Sequence, residues 1–464
     1  MTSFQSPSGT KDWLYPESEH MAYLVESFKS HVELANYGLI LSPMFEDLGV
    51  FVRGVGDVSE LVTKEMYEFV DKGGRKLALR PEGTASVMRA FLQHNPPVPF
   101  KAWYVAPSFR YERPQAGRYR QHHQVGLEAI GTDDPGLDLE IISILFDWLT
   151  SLGLGNLSLK LNCLGDTNCR PAYLELLYSY LEKNQKFLCK EHMERWSVNP
   201  LRVLDCKKPE CVAIKEDAPK INKHLCPDCK LHFETLLAAL DTAEIPYLLD
   251  DYLVRGLDYY TRTTFEVASL SLESAQNAVG GGGRYDNLAL ALGGNNTPGI
   301  GFASGLERVL LACEKEGVVF PLDYGPSVFV IDLIGGHKAG ELTMTFRRAG
   351  VACDRSFDNR SLKSQLRQAD KSRAKLALIV GEREKQNNSL QLKWLDANMR
   401  ERFSAFLADF LDSYVVSESD DLSTMKSYSG KSYSGENKDY TEQYQISNTL
   451  PTDMAIRAIK EFFK

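Results

Sequence analysis

The chain has 464 residues, 43% hydrophobic and 25% charged, enough to bury a large core and to divide into two or three domains. A net charge of −9 and a pI near 5.6 exclude a generally basic nucleic-acid coat, although a local basic patch can still bind a polyanion. The start MTSFQSPSGTKDW lacks the apolar run of a secretory signal, and no apolar stretch approaches membrane-spanning length. Nine cysteines, an odd count, then point to reduced thiols or a metal site, and the expected location is the cytoplasm with no membrane partner.

Ser8–Asp12 reads as a turn leading into a helix over Glu17–Asn36, where Met21, Leu24, Phe28, Val32 and Ala35 recur at helical spacing. Gly38 is placed to supply its left-handed cap, and the strand-like Leu39-Ile40-Leu41 then meets Pro43. Between Phe51 and Asp71, glycines serve either a turn or a close approach to a ligand. Lys76–Arg80 is a short strand whose Pro81-Glu82-Gly83-Thr84 loop enters a helix over Ala85–Gln93; Glu82 can cap that helix or receive an ammonium group.

Strands over Trp103–Arg110 and His122–Ile130 flank FRYERPQAGRYRQHHQ, residues 109–124, with Arg110, Arg113, Arg118 and Arg120 inside eleven positions and a turn at Pro114–Gly117. The result is a hairpin bearing guanidinium groups on both arms. It is either a clamp for phosphate oxygens, which planar forks suit because they donate paired hydrogen bonds and stay charged, or a solvated loop laced with salt bridges. Gln124, Gly126 and Glu128 share one face of the returning strand. A carboxylate buried there needs a partner, and an imidazole N–H is a good one.

Ile141–Leu154 is an amphipathic helix and Leu157–Leu161 a strand, after which Cys169–Ile245 turns helix-rich. There Cys206-x4-Cys211 and Cys226-x2-Cys229 place four thiolates that can surround a structural zinc, with His224 and Cys189 as substitutes; the alternative is reduced, unbridged cysteines. Asp251–Val267 joins an Arg-Gly loop to a strand at Thr263–Val267, its Tyr259 and Tyr260 being pocket walls or a core pair. Gly280–Asp286 reads as a flexible turn before a helix, and Gly299–Ser304 precedes a helix that carries Arg308 in its first turn. Pro321–Pro326 is a linker. Beyond it, Ser327–Leu333, Glu341–Gly350, Val351–Asp354, Leu362–Lys371 and Ala374–Val380 alternate strand and helix in a small, locally basic α/β domain. The sequence KSYSG occurs twice in tandem within the polar segment Ser417–Asp453, which reads as a flexible insertion, and Ala455–Phe463 reads as a terminal amphipathic helix.

In order and spacing, LRPEGT (79–84), the 109–124 hairpin, GLE (126–128), RGLDYY (255–260), GGRYD (282–286) and GIGFASGLER (299–308) resemble the histidyl-tRNA synthetase family of class II aminoacyl-tRNA synthetases. The likeness runs from about Ser8 to about Glu384. It implies an α+β fold with a class II antiparallel-sheet catalytic core over 1–325, a helical insertion at 170–245, and a C-terminal α/β anticodon-binding domain over 326–464. It implies a homodimer packed through the helix–strand–proline segment near Pro43. The implied chemistry joins L-histidine to histidine tRNA through a histidyl-adenylate, with ATP as substrate and Mg2+ on its β- and γ-phosphates.

Carried over position by position, the resemblance gives histidine Glu82, Gly83, Thr84, Arg110, Gln124, Glu128, Arg255, Tyr259 and Tyr260. It gives ATP Arg110, Arg118, His122 and Arg308, His122 standing where the family usually stacks a phenylalanine on adenine. Arg113 and Gln115 fall to the tRNA acceptor end. Catalysis falls to Arg110 and above all Arg255, a fixed cation where charge builds on the α-phosphate. A silent synthetase-like regulatory subunit and a tRNA-sensing protein are the rival readings.

Overall fold

The computed structural model describes residues 4–56, 59, 61–273, 276–358, 360–417 and 449–463. The tandem KSYSG repeat and most of the segment expected to be flexible lie outside them. The chain divides into two units, Met1–Leu322 and Asp323–Lys464, within the proline-bounded PLDYGP segment.

The first unit is built on an eight-stranded sheet in the order Gly38–Leu39, Phe100–Phe109, Gln121–Ile130, Gly299–Gly305, Ala278–Arg284, Thr261–Ser269, Leu157–Cys163 and Leu248–Leu249. The outermost pair at each end is parallel and every pair between is antiparallel. Alternation along Gln121–Ile130 explains the two faces. Val125, Leu127 and Ala129 point to one side, where helices Glu17–Leu34, Pro135–Ser151 and Leu306–Lys315 bury Leu24, Phe28, Ile141, Trp148 and Val309 against them. Phe28 anchors this layer edge-on to Trp148, with ring centroids 5.0 Å apart. The other side carries Gln124 and Glu128 and is only partly covered, which is where a cavity forms.

Two local expectations change. The first helix ends at Leu34, and Asn36, not Gly38, takes the left-handed conformation at φ 61°. Asparagine tolerates that region, which frees Gly38 to pair as a strand with Ala102. The glycine run Gly280–Gly283 is not a flexible turn but the middle of a central strand. Its neighbours come so close that a Cβ on Gly282 would collide with the Gly301 carbonyl, and one on Gly281 would lie 3.0 Å from the Arg255 guanidinium carbon. The strand ends in Arg284, fully buried, whose Nε donates to Asp138 Oδ2 at 2.8 Å while His232 Nε2 stands 3.1 Å from Asp138 Oδ1.

Between Leu157–Cys163 and Leu248–Leu249 the chain makes a helical excursion with helices Arg170–Asn184, Lys190–Arg195, Leu201–Asp205, Pro209–Glu216 and Pro227–Thr242. It has a small core of its own around Tyr173, Leu177, Trp196 and Val203, and its last helix packs Phe233, Leu236 and Leu240 into the main core.

The second unit is a five-stranded sheet ordered Cys353–Arg355, Val328–Asp332, Leu376–Val380, Ser389–Trp394 and Thr449–Pro451, parallel across the first three and antiparallel beyond. Helices His337–Arg348 and Thr452–Phe462 cover one face, and Leu362–Lys371 the other. Residues 449–453 thus correct the expectation of a flexible segment running to Asp453: an edge strand and a helix start occupy them because pairing with Ser389–Trp394 satisfies their backbone.

Replacing Gly282 with alanine should lower stability by about 3 kcal/mol, the upper end of overpacking in a filled core. Gly317→Ala, at φ 70° with open space around it, should cost about 1 kcal/mol. Urea unfolding midpoints of the two variants check the difference.

Candidate active site

A cavity of about 320 Å³ opens on the polar face of the large sheet, and separate segments of the chain contribute to its lining. The hairpin gives Arg110, Arg118, His122 and Gln124; the helix start after strand Lys76–Leu79 gives Glu82 and Thr84. The loop before Thr261–Ser269 gives Arg255, Tyr259 and Tyr260, the glycine strand its bare backbone at Gly280 and Gly281, and the start of Leu306–Lys315 gives Arg308.

Each arginine is held by acceptors that fix part of its fork. Arg110 Nε donates to the Pro81 carbonyl at 2.9 Å, and Arg308 Nη1 to the Ala278 carbonyl at 2.8 Å. Arg118 pairs with Glu112. Arg255 Nη1 meets Glu266 Oε2 at 2.5 Å, while its buried Nε has no hydrogen-bond partner among the described residues. A buried charged donor left unpaired is costly, and an anionic ligand would satisfy it. The positive field is mutual: burial, and then the charges of Arg118 and Arg110, hold the Arg308 pKa below its usual value. Burial followed by Arg110 and Arg308 takes His122 down to about 3, so it is a neutral flat ring at neutral pH.

Glu82 closes the other end. Its carboxylate accepts the Thr84 N–H at 2.6 Å and the Ala85 N–H at 2.9 Å, capping the helix Thr84–His94. The Tyr259 hydroxyl donates to it at 3.5 Å, and the Tyr259 and Tyr260 rings lie 4.7 Å apart. Gln124 Oε1 accepts from the Ser108 hydroxyl at 2.9 Å.

Some expected residues lie elsewhere. Glu128 does not line the cavity: it is fully buried behind Thr84, whose hydroxyl donates to it at 2.7 Å, while Tyr285 donates from the far side at 2.6 Å. Its partners are therefore two hydroxyls and not an open pocket, and burial pushes its pKa up to about 8. Gly83 stands beside it, its missing side chain leaving room for the Tyr104 ring. Arg113 and Gln115 are exposed at the hairpin tip and do not line the cavity, although Gln115 accepts a hydrogen bond from the lining residue Gln276. Cys206, Cys211, Cys226 and Cys229 do not form one set of ligands. Cys206 and Cys211 meet Cys189 and His192, whereas Cys226 and Cys229 meet Asp166 and Cys169, because the helices that carry them pack on different parts of the insertion. His224, the suggested substitute, instead packs beside Tyr173.

Three carboxylates went unnoticed in the sequence. Glu112 and Glu266 pair with Arg118 and Arg255, and Glu307 accepts the His123 N–H at 2.9 Å and 3.0 Å. Only Glu307, adjoining Arg308 in GLER, carried any local signal.

A sequence model described as histidyl-tRNA synthetase matches residues 9–309, and one described as an anticodon binding domain matches residues 327–411. The chain belongs to the histidyl-tRNA synthetase family. The histidine–tRNA ligase of Moorella thermoacetica is 46% identical over 401 residues, covering 85% of this chain and 94% of the relative. That of Desulforamulus reducens is 44% identical, with 82% and 91% covered. The apo S. aureus histidyl-tRNA synthetase superposes with a TM-score of 0.72 at 34% identity, over 85% of this chain and 95% of that one. The antiparallel-sheet core and C-terminal anticodon-binding domain expected from the sequence are both present.

Glu128 makes stability depend on pH. Its folded pKa, about 8, lies above its ordinary 4.5, so the folded state binds the extra proton between those values and stability falls as pH rises through that window. Glu128→Gln removes the titration: urea midpoints measured across pH 5 to 8 should fall less steeply than in the wild type, and parallel slopes would count against this assignment.

Proposed function

We propose that the cavity binds ATP and L-histidine side by side and joins them as histidyl-adenylate before the histidyl group passes to tRNA. The activity is the ATP-dependent ligation of L-histidine to histidine tRNA. One observation supports this reading above the rest: Arg110, Arg255 and Arg308, from segments far apart in the sequence, face a single cavity.

A carboxylate oxygen of histidine attacks the α-phosphorus; the new P–O bond forms as the bond to the β-bridging oxygen breaks and pyrophosphate leaves. Arg110 contacts the α-phosphate and the histidine carboxylate, bringing the two like-charged reactants together. Arg255, fixed by Glu266, directs its unpaired donor at the nonbridging oxygens where charge accumulates. Arg118 and Arg308 take the outer phosphates, and the neutral His122 ring offers a face to adenine. Glu112 and Glu307, carboxylates of the lining, are the hard oxygen donors that would hold Mg2+, which when bound would supply charge neutralisation for the outer phosphates.

Glu82 and Thr84 receive the α-ammonium group, and Gln124, Tyr259 and Tyr260 surround the imidazole. Glu128 and Gly83 serve from behind, setting the Thr84 hydroxyl and admitting Tyr104. The exposed Arg113 and Gln115 reach the tRNA acceptor end. The C-terminal unit presents Lys363, Arg367 and Lys371 on helix Leu362–Lys371, suited to anticodon-arm phosphates. The insertion's cysteines belong to this reading only as ligands of structural zinc.

The homodimer is part of the same proposal. Leu34, Leu39 and Leu41 are exposed at and beside the edge strand Gly38–Leu39, Leu41 77% so, and the exposed Met44 and Phe45 follow in the chain, apolar surface of the kind that interfaces cover. No helix among the described residues is long and apolar enough to cross a membrane, and a cytoplasmic location fits a translation enzyme. The silent-regulator reading is disfavoured by the retained arginines and the anticodon-binding unit.

Histidine-dependent exchange of radiolabelled pyrophosphate into ATP tests the chemistry. Arg255→Ala should slow exchange by roughly 10²- to 10³-fold with ATP binding retained, as for loss of one oxyanion-type donor. No exchange by the wild type would favour the silent reading. Separately, Leu41→Asp should turn a dimer into a monomer by sedimentation velocity; an unchanged sedimentation coefficient would remove this edge from the interface.

A further inference from the structure

We propose that the helical insertion holds two structural zinc ions, one bound by Cys189, His192, Cys206 and Cys211, the other by Asp166, Cys169, Cys226 and Cys229. Neither ion enters the ligation chemistry, so the inference goes beyond the function proposed above.

In each set, one ligand atom from each of the four residues lies within 4.8 Å of all the others. That spread suits a shell around one ion: with Zn–S near 2.3 Å and Zn–N near 2.0 Å, tetrahedral neighbours stand roughly 3.5–3.8 Å apart. In the first set, Cys189 Sγ and Cys211 Sγ lie 3.2 Å and 3.8 Å from His192 Nδ1. The Cys189 N–H donates to Cys211 Sγ at 3.4 Å, an interaction that a thiolate accepts more strongly than a thiol. In the second, Asp166 Oδ1 lies 3.6 Å from Cys169 Sγ and 3.8 Å from Cys226 Sγ, and Cys229 is fully buried. Arg262 Nη2, 3.6 Å from Asp166 Oδ2, offsets the negative charge that three thiolates and a carboxylate leave around zinc.

The spacing fits as well. Cys189-x2-His192, Asp166-x2-Cys169 and Cys226-x2-Cys229 are each a short chelating turn, with Cys189 and Cys226 standing just before helices Lys190–Arg195 and Pro227–Thr242. Reduced cysteines serve a core as small apolar groups, and such packing gives no reason to gather three sulfurs and an imidazole nitrogen within 4.8 Å of one another.

The insertion has a use for both ions. Helices Lys190–Arg195, Leu201–Asp205 and Pro209–Glu216 have 6, 5 and 8 residues, too short to persist alone, and they share one small core. The first ion would tie all three together. It thereby positions Arg202, whose Nη2 donates to the Gly256 carbonyl at 2.6 Å, immediately after Arg255. The second would join the entry to the insertion to the helix that returns to the main core.

Metal analysis of full-length protein from zinc-supplemented culture, passed over a chelating resin, should give two zinc per chain. Cys206→Ser and Cys229→Ser should each retain one, and Cys313→Ser, outside both sets, should retain two. Cobalt titration of chelator-treated wild type needs no variant to fold: tetrahedral d–d bands and thiolate-to-cobalt charge transfer should saturate at two equivalents and be bleached by zinc. Fewer than two zinc in the wild type, or a cobalt spectrum without these bands, overturns the proposal. Metal content is read independently of pyrophosphate exchange, so failure of one reading leaves the other intact.

Discussion

Four guanidinium groups face one cavity, and the need to keep like charges together shapes most of what surrounds them. Each would repel the others strongly in a low-dielectric cleft. The fold offsets that repulsion with fixed acceptors: Glu112 for Arg118, Glu266 for Arg255, and the Pro81 and Ala278 carbonyls for Arg110 and Arg308. The offset is incomplete: burial first, and then the charges of Arg118 and Arg110, keep the Arg308 pKa below its usual value. Incomplete neutralisation is what leaves the cavity attractive to a polyanion. Full pairing would make a more stable cleft and a poorer site, since removing one partner of a buried pair typically costs about 3–5 kcal/mol.

The antiparallel sheet makes this arrangement possible because one of its faces is only partly covered. Packing Phe28, Trp148 and Val309 beneath the sheet supplies the larger core, while on the upper face a smaller cluster around Met88, Phe91, Tyr104 and Tyr285 leaves room for the cavity. The glycine strand then matters for what it lacks. At Gly281 the absent side chain leaves a bed for the Arg255 guanidinium, and at Gly301 on the neighbouring strand Gly299–Gly305 it leaves space for the Glu128 carboxyl. Backbone that contributes no contacts of its own thus sets where a charge and a carboxyl sit.

How much of this could be read from the sequence follows from how local each cause is. The helical spacing of Leu24, Phe28 and Val32, the turn chemistry of the hairpin and the prolines of the linker act over a few residues, and those elements appear near their expected places. The arginines were legible because they sit in runs tied to turns and helix starts. The glycine run was misread because glycine carries no side-chain alternation; its strand is defined by neighbours at Phe265 and Phe302. Glu128 was put on the right face, but one of its partners, Tyr285, lies 157 residues away. Cysteine spacing gave the CxxC turn correctly and the grouping wrongly, since the chain sequence does not tell which helix ends meet.

The insertion is joined to the Arg255 loop by more than covalent continuity. Asn199 Nδ2 donates to Asp258 at 3.0 Å and Arg202 to Gly256 at 2.6 Å, so the residues on either side of Leu257 are both held from the insertion. Arg255 is therefore located by two independent anchors: Glu266 on the sheet fixes its tip, and the insertion fixes the backbone that follows it. A shift of the insertion by an ångström or so would break hydrogen bonds of this length or carry the loop with it. Because misplacement on that scale can cost about 10²-fold in the rate of a reaction that depends on a positioned group, the integrity of a small helical subdomain becomes a condition on where the Arg255 guanidinium sits in the cavity.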